Sequence, residues 1–222
     1  MALRKAAQDP ARLRAVLGLT KPPVIAREVA AALGLTVESL RASESGFLHA
    51  LTYTLNGKPR IVVDARKPES VVNFGIAHEL YEAILPETVR GKERHLRANR
   101  LAADLLLPEE WVRTVVDDLQ FNVVALAERF RVSCEAMALR LVQFFKLGAT
   151  VIDNGQVVRR VASEGLALPA TLLPEEKSVL RRLAAGAPDS VEAGSGVKVV
   201  GFRVPGDSPV LRFILLTFPT EL

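Results

Sequence analysis

The 222-residue chain has a single cysteine, Cys134, and only three histidines, His49, His78 and His95. A lone cysteine forms no intramolecular disulfide and builds no cysteine-based zinc site. The scarcity of histidine means that any site needing two imidazoles is tightly constrained. Long apolar runs are also missing. Mean hydropathy is slightly positive at +0.21, yet charges or prolines break every run before the roughly 18 residues that a membrane helix requires. The opening Met1-Ala2-Leu3-Arg4-Lys5 continues into Gln8, Asp9, Arg12 and Arg14 where a secretory leader has its apolar core. These absences point to the cytoplasm. Nor is there a strong excess of one charge: Lys+Arg 29 against Asp+Glu 25 gives +4, which permits contact with nucleic acid without arguing for it.

What is present reads as an ordinary globular chain, with 49% hydrophobic and 24% charged residues. The length suffices for one large domain or two small ones. Ile25, Val29 and Leu33 share a face at helical spacing, opened by Pro22-Pro23 and stopped by Gly34. Two β-like runs, Phe47 to Leu55 and Arg60 to Val63, flank Asn56-Gly57, a dipeptide suited to a tight hairpin turn, and predict a small antiparallel sheet. Helical patterns follow from about Pro68 to Leu85 and from about Glu93 to Leu107, closed by Pro86 and Pro108. Leu119 to Leu147 reads as helix, short turn and helix, with Ser133 as N-cap. After Gly148 come a hairpin signal at Asn154-Gly155, a helix from about Pro174 to Ala184, and strands at Val197 to Val204 and Val210 to Phe218. Residues 185–190 and 194–196 read as a loop-rich patch. There is no internal repeat. The fold class is α+β, divided into 1–118 carrying the chemistry, a helix-turn-helix-like segment at 119–147, and a small α+β unit at 148–222.

The chemistry lies in His78-Glu79-Leu80-Tyr81-Glu82. Residues four apart stack on one face of a helix, so His78 and Glu82 can converge on one ion, while Glu79 lies about 100° round the axis. This is the H-E-x-x-H zinc helix with its second ligand replaced by a carboxylate, whose oxygen binds zinc at about the distance of an imidazole nitrogen. His95, early in the next helix with Asn99 one turn on, is the best candidate for a third ligand. Two histidines and a carboxylate also suit manganese or iron.

From about Pro23 to Leu147 the chain resembles the ImmA/IrrE family of intracellular metallopeptidases. Ala77-His78-Glu79-Leu80-Tyr81-Glu82 lies on the family's A-H-E-L-x-H motif. His95 through Pro108 lies on its E-x-x-x-N-x-F-A-A-x-L-L-M-P motif, with Leu101 for Phe and Leu107 for Met. Two departures are reciprocal: the family's second His is Glu82 here, and its ligand Glu is His95 here. The resemblance implies a zincin-like peptidase domain with a small antiparallel sheet and active-site helices. It implies an ion, zinc, held by His78, Glu82 and His95, with Glu79 as the general base toward water and Asn99 holding a ligand imidazole by hydrogen bond. Tyr81 stands where relatives carry Gly, and its phenol is a candidate substrate or oxyanion contact, against the plainer reading of packing. Arg94, Arg97 and Arg100 make the second helix basic, the usual pattern of a solvated face. His49 and Cys134 read as structural.

The implied function is cleavage of a protein substrate, a helix-turn-helix transcriptional repressor, in a stress or mobile-element response. The alternative is a non-catalytic peptidase-like regulator that binds a protein partner or DNA. Direct DNA binding is the weaker partner reading, because the second helix of the 119–147 segment offers Glu135 near its start and Arg140 as its one obvious phosphate or base contact. The role of residues 148–222 is not legible.

Overall fold

A computed structural model describes residues 6–41, 50–55, 58–194, 196–206 and 210–220. The described residues form two compact units, Met1–Thr114 with Glu128–Ser133, and Val115–Ala127 with Cys134–Leu222.

The first unit opens with α1 (Pro10–Val16), where Asp9 caps the helix by accepting from the N–H of Ala11 at 3.0 Å and of Arg12 at 3.2 Å, and Pro10 pre-sets the first helical position. Next come α2 (Ala26–Ala32), β1 (Thr36–Leu40), β2 (Ala50–Leu55) and β3 (Lys58–Asp64). The sheet has the order β1-β3-β2, with β2 antiparallel and β1 parallel to β3. The expected antiparallel pair is therefore there, but the sheet is mixed. β1 enters it through a long-range parallel pairing that no turn dipeptide announces. The hairpin turn predicted at Asn56-Gly57 and His49 lie outside the described residues.

Two long helices follow, α3 (Glu69–Ile84) and α4 (Gly91–Leu106). α3 packs on β2, β3, α2 and α4, and buries Val72, Asn73, Ile76, Ala77, His78, Leu80 and Tyr81. Its sequence is apolar almost all round, as a central helix requires. α4 buries only the stripe Ala98, Ala102, Leu105 and Leu106. Polar groups inside the unit are paired: the Asn73 carboxamide accepts from Ala26 N–H at 2.8 Å and donates to the carbonyls of Val24 at 3.0 Å and Arg131 at 3.1 Å. Arg14, on α1, donates to the Asp104 carbonyl at 2.6 Å and to Glu110 at 2.9 Å. It thereby ties α1 to the end of α4 and to α5 (Glu109–Leu119).

The helix pair α6 (Val123–Phe130) and α7 (Cys134–Phe144) turns through Arg131, which has a φ of 51°. The second unit is a five-stranded antiparallel sheet of β4 (Gly148–Asp153), β5 (Gln156–Ala162), β6 (Asp189–Gly194), β7 (Val197–Arg203) and β8 (Arg212–Pro219), in the order β5-β4-β8-β7-β6. α7 packs on β4, β5 and β8, and α8 (Pro174–Ala184) packs on β6, β7 and β8. The Asn154-Gly155 turn forms as expected, both residues at positive φ. The patch read as loop is instead occupied in part by β6, a mostly exposed edge strand whose polar Asp-Ser-Val-Glu text carries little strand signal.

Two consequences are measurable. Asp64, buried at the end of β3, accepts from the Arg66 guanidinium at 3.0 and 2.8 Å and from its backbone N–H at 3.0 Å. The Arg66 side chain first, and then its backbone N–H, bring the Asp64 carboxyl down from 3.8 to about 2. Because the folded state holds the charged form more tightly than the unfolded chain does, this stabilisation is full above 3.8 and fades as pH falls toward 2. Carboxyl NMR titration should find the Asp64 midpoint near 2 and move it up toward the ordinary value in Arg66→Met. In the second unit, fully buried Glu176 accepts from Arg160 at 3.0 and 2.9 Å, from the Thr217 hydroxyl at 2.7 Å and from Leu173 N–H at 2.8 Å. Chemical denaturation should show Glu176→Ala destabilised by about 3–5 kcal/mol, since it strands a buried guanidinium.

Candidate metal centre

α3 and α4 place the candidate donors on facing surfaces. His78 and Glu82 fall one above the other on α3, and the Nε2 of His78 lies 3.7 Å from Oε1 of Glu82. From α4, Nδ1 of His95 lies 3.8 Å from that same oxygen, and the two imidazoles meet edge to face with centroids 4.5 Å apart. One donor atom from each of the three residues lies within 4.8 Å of the others. Two donors about 2.1 Å from a shared ion are about 3.4 Å apart at a tetrahedral angle, so the Glu82 spacings are close to those of a chelating set.

Donor chemistry fits an ion as well. His78 is 9% exposed, and its Nδ1 is buried without a hydrogen-bond partner. Burial lowers its pKa below the ordinary value, with the charge of His95 acting in the same direction and Glu79, Glu82 and Asn99 opposing. The ring is therefore held toward the neutral form, which has a lone pair to give. His95 is more open, its side chain 62% exposed. Among the neighbouring groups, Glu79 has the largest influence on His78. The Glu79 backbone carbonyl accepts from the Thr52 hydroxyl at 3.3 Å, which fastens this turn of α3 to β2. Asn99 lies one turn beyond His95 on α4 and is among the groups that oppose the lowering of the His78 pKa.

Sequence reasoning missed Arg94 as an individual. Its neighbours Arg97 and Arg100 are exposed, as a solvated basic face predicts, whereas Arg94 turns back onto α3. Its Nε meets Oε2 of Glu82 at 2.8 Å. Its terminal nitrogens donate to the carbonyls of Pro86 at 2.9 Å, Val89 at 3.0 Å, Leu85 at 3.0 Å and Glu82. Helix C-termini leave carbonyls unpaired and favour cations; that rule, applied to the helix closed by Pro86, was the available signal.

Two expectations are corrected. Tyr81 is fully buried, its hydroxyl has no hydrogen-bond partner, and burial pushes its pKa up. The charges acting on it are Arg14, Asp104 and Asp9 rather than the candidate donors, so it packs in the core and does not serve a substrate or oxyanion. Arg140 is 7% exposed, donates to Gln143 at 2.7 Å and stacks over Phe144 with its guanidinium carbon 4.3 Å from the ring centroid. It is therefore spent on packing and is not a phosphate contact. Cys134, half-buried at the start of α7, is distant in sequence from the candidate donors.

Residues 30–142, just over half of the chain, match the peptidase family described as the IrrE N-terminal-like domain. Among solved structures, a Mycobacterium tuberculosis transcriptional regulator is similar with a TM-score of 0.64 and 16% identity, covering 98% of this chain and 88% of that one. At that identity the likeness is one of fold. The sensor domain of the zinc-responsive histidine kinase CzcS from Pseudomonas aeruginosa aligns at a TM-score of 0.27 and 19% identity, over 55% of this chain and 96% of that one, too low to carry an argument. No curated protein matches the chain. None of the described helices is long and apolar enough to cross a membrane. By its family match over residues 30–142, the chain belongs to the IrrE N-terminal-like peptidase family.

Proposed function

We propose that this protein is a zinc-dependent endopeptidase in which His78, Glu82 and His95 hold the ion and Glu79 is the general base. The observation that carries the reading is the convergence of these three donors within 4.8 Å, at positions where a His and a Glu have exchanged places relative to the family motifs. Loss of function alone would not be expected to preserve a two-histidine, one-carboxylate set. A bound zinc ion would act as a Lewis acid toward the peptide carbonyl and the attacking water. The chain's own residues do the rest. Glu79 accepts a proton from the water as its oxygen adds to the carbonyl carbon. It returns that proton to the departing amine nitrogen as the C–N bond breaks. Asn99, at the position of the family motif's Asn, would hold a ligand imidazole in one orientation.

The substrate in this reading is a helix-turn-helix transcriptional repressor, cleaved in the cytoplasm to release stress-response or mobile-element genes. A second reading, a regulator that binds a protein partner or DNA without cleaving it, is favoured by the fold likeness to a transcriptional regulator. The burial of Arg140 weakens its DNA-binding form.

The experiment is elemental analysis of purified wild type beside Glu82→Ala and His95→Ala, followed by incubation with helix-turn-helix repressors encoded nearby. The expected result is near-stoichiometric zinc in wild type, a fall in both variants, and cleavage that Glu79→Gln slows by about 10²–10⁴-fold while retaining metal. Tyr81→Phe should cleave like wild type. Absence of metal after zinc addition, together with absence of cleavage, would leave the regulator reading. Chelator treatment should abolish cleavage, and zinc should restore it.

A further inference from the structure

We propose that Arg94 is the positioning residue of the candidate metal centre, holding one carboxylate oxygen of Glu82 so that the other alone faces the two imidazoles. This rests on the reading of His78, Glu82 and His95 as ligands. The four terminal N–H groups of the Arg94 guanidinium donate to the carbonyls of Glu82, Leu85, Pro86 and Val89, and its Nε lies 2.8 Å from Oε2 of Glu82 as an ion pair. A guanidinium is a rigid plane, so with its four terminal donors spent on four carbonyls its orientation is fixed and its charge is held beside the Glu82 carboxylate. Glu82 is divided as a result, Oε2 going to Arg94 and Oε1 lying 3.7 and 3.8 Å from the two histidines.

The same contacts fix distance as well as orientation. Arg94 directly precedes His95 on α4, and its four carbonyl partners are the last turn of α3 and the loop beyond it. One side chain therefore sets the register between the helix carrying His78 and Glu82 and the helix carrying His95. Its positive charge also offsets the charge that a carboxylate brings to α3 in place of the neutral imidazole of the family motif. A lysine would keep the charge, but its single ammonium has three donors and no planar fork.

The test uses the full chain and two metals. Zinc affinity, measured by competition with a chromophoric chelator, should fall roughly 10–100-fold in Arg94→Met, the range for residues that orient metal ligands, and by a smaller factor in Arg94→Lys. The visible spectrum of the cobalt(II)-loaded protein should change in both, because a released Glu82 can offer two oxygens in place of one. In a Glu82→Gln background, Arg94→Met should cost little further affinity. If Arg94→Met does not fold, the lysine variant decides. A lower melting temperature with zinc affinity and cobalt spectrum unchanged would reduce Arg94 to a helix cap and overturn the proposal while leaving the ligand set standing. A wild type that takes up neither metal would overturn the ligand set itself, and this proposal with it.

Discussion

Because α3 is buried along most of its length, each polar group it carries must find a partner inside the protein or leave an uncompensated cost. Much of the first unit can be read as the answer to that constraint. Asn73 spends its carboxamide on α2 and on the carbonyl of Arg131. The end of the helix, where carbonyls run out of intrahelical partners, is met by Arg94 from α4. The Glu82 carboxylate forms an ion pair with the same guanidinium. Two buried atoms on this helix stay unpaired, the Tyr81 hydroxyl and Nδ1 of His78. The first sits in the core with nothing to act on. The second belongs to a ring whose neighbours are two carboxylates, another imidazole and a carboxamide, so the two exceptions differ in kind: one is enclosed by the core, the other borders a cluster of polar groups.

The second unit meets the same constraint with a denser network. Arg160 and Glu176 form a buried pair whose lone pairs and donors are taken up by Thr150, Thr217, Leu173 N–H and the Pro169 carbonyl. Such a pair adds little to net stability once desolvation is counted. What it adds is placement. Gly201 supplies the steric half of the same device, since a Cβ there would lie 2.3 Å from Val179, 2.8 Å from Leu215 and 2.9 Å from Leu183. With an ion pair at one end of α8 and a close helix-to-sheet approach at Gly201, α8 has one register on its sheet.

The elements legible in the sequence were those whose signals are local. Pro86 and Pro108 end α3 and α4, Pro174 opens α8, and Asn154-Gly155 makes a turn whose two residues need positive φ. Those that were not legible depend on distant partners. β1 is a strand because β3 runs parallel beside it, and β6 because β7 does so antiparallel; neither stretch has a strong alternation of its own. The helical spacing of His78 and Glu82 was visible, but helical spacing does not say which way a side chain three residues on will point once the helix is enclosed on several sides. Spacing alone therefore left Tyr81 open between a substrate contact and packing, and burial places it in the core. Arg94 and Arg140 show the same limit for charge: arginine text reads as solvated surface, yet one clamps a helix end and the other stacks on Phe144.

On the proposed ligand set, the exchange of His and Glu is not neutral with respect to burial. The family motifs put an imidazole on the enclosed helix and the carboxylate on the more open one. Here the carboxylate of Glu82 is on the enclosed helix, with its side chain 21% exposed, and the imidazole of His95 is the open member at 62%. Moving an anion inward raises its desolvation cost, and a divalent ion alone would repay it only while bound. Arg94 repays it at all times, because its ion pair with Glu82 is present without metal. An exchanged site without such a cation would bury an unpaired carboxylate whenever the ion left. On this chain the exchange and the arginine therefore form one unit, and a relative carrying the carboxylate on α3 should have a cation within reach of it.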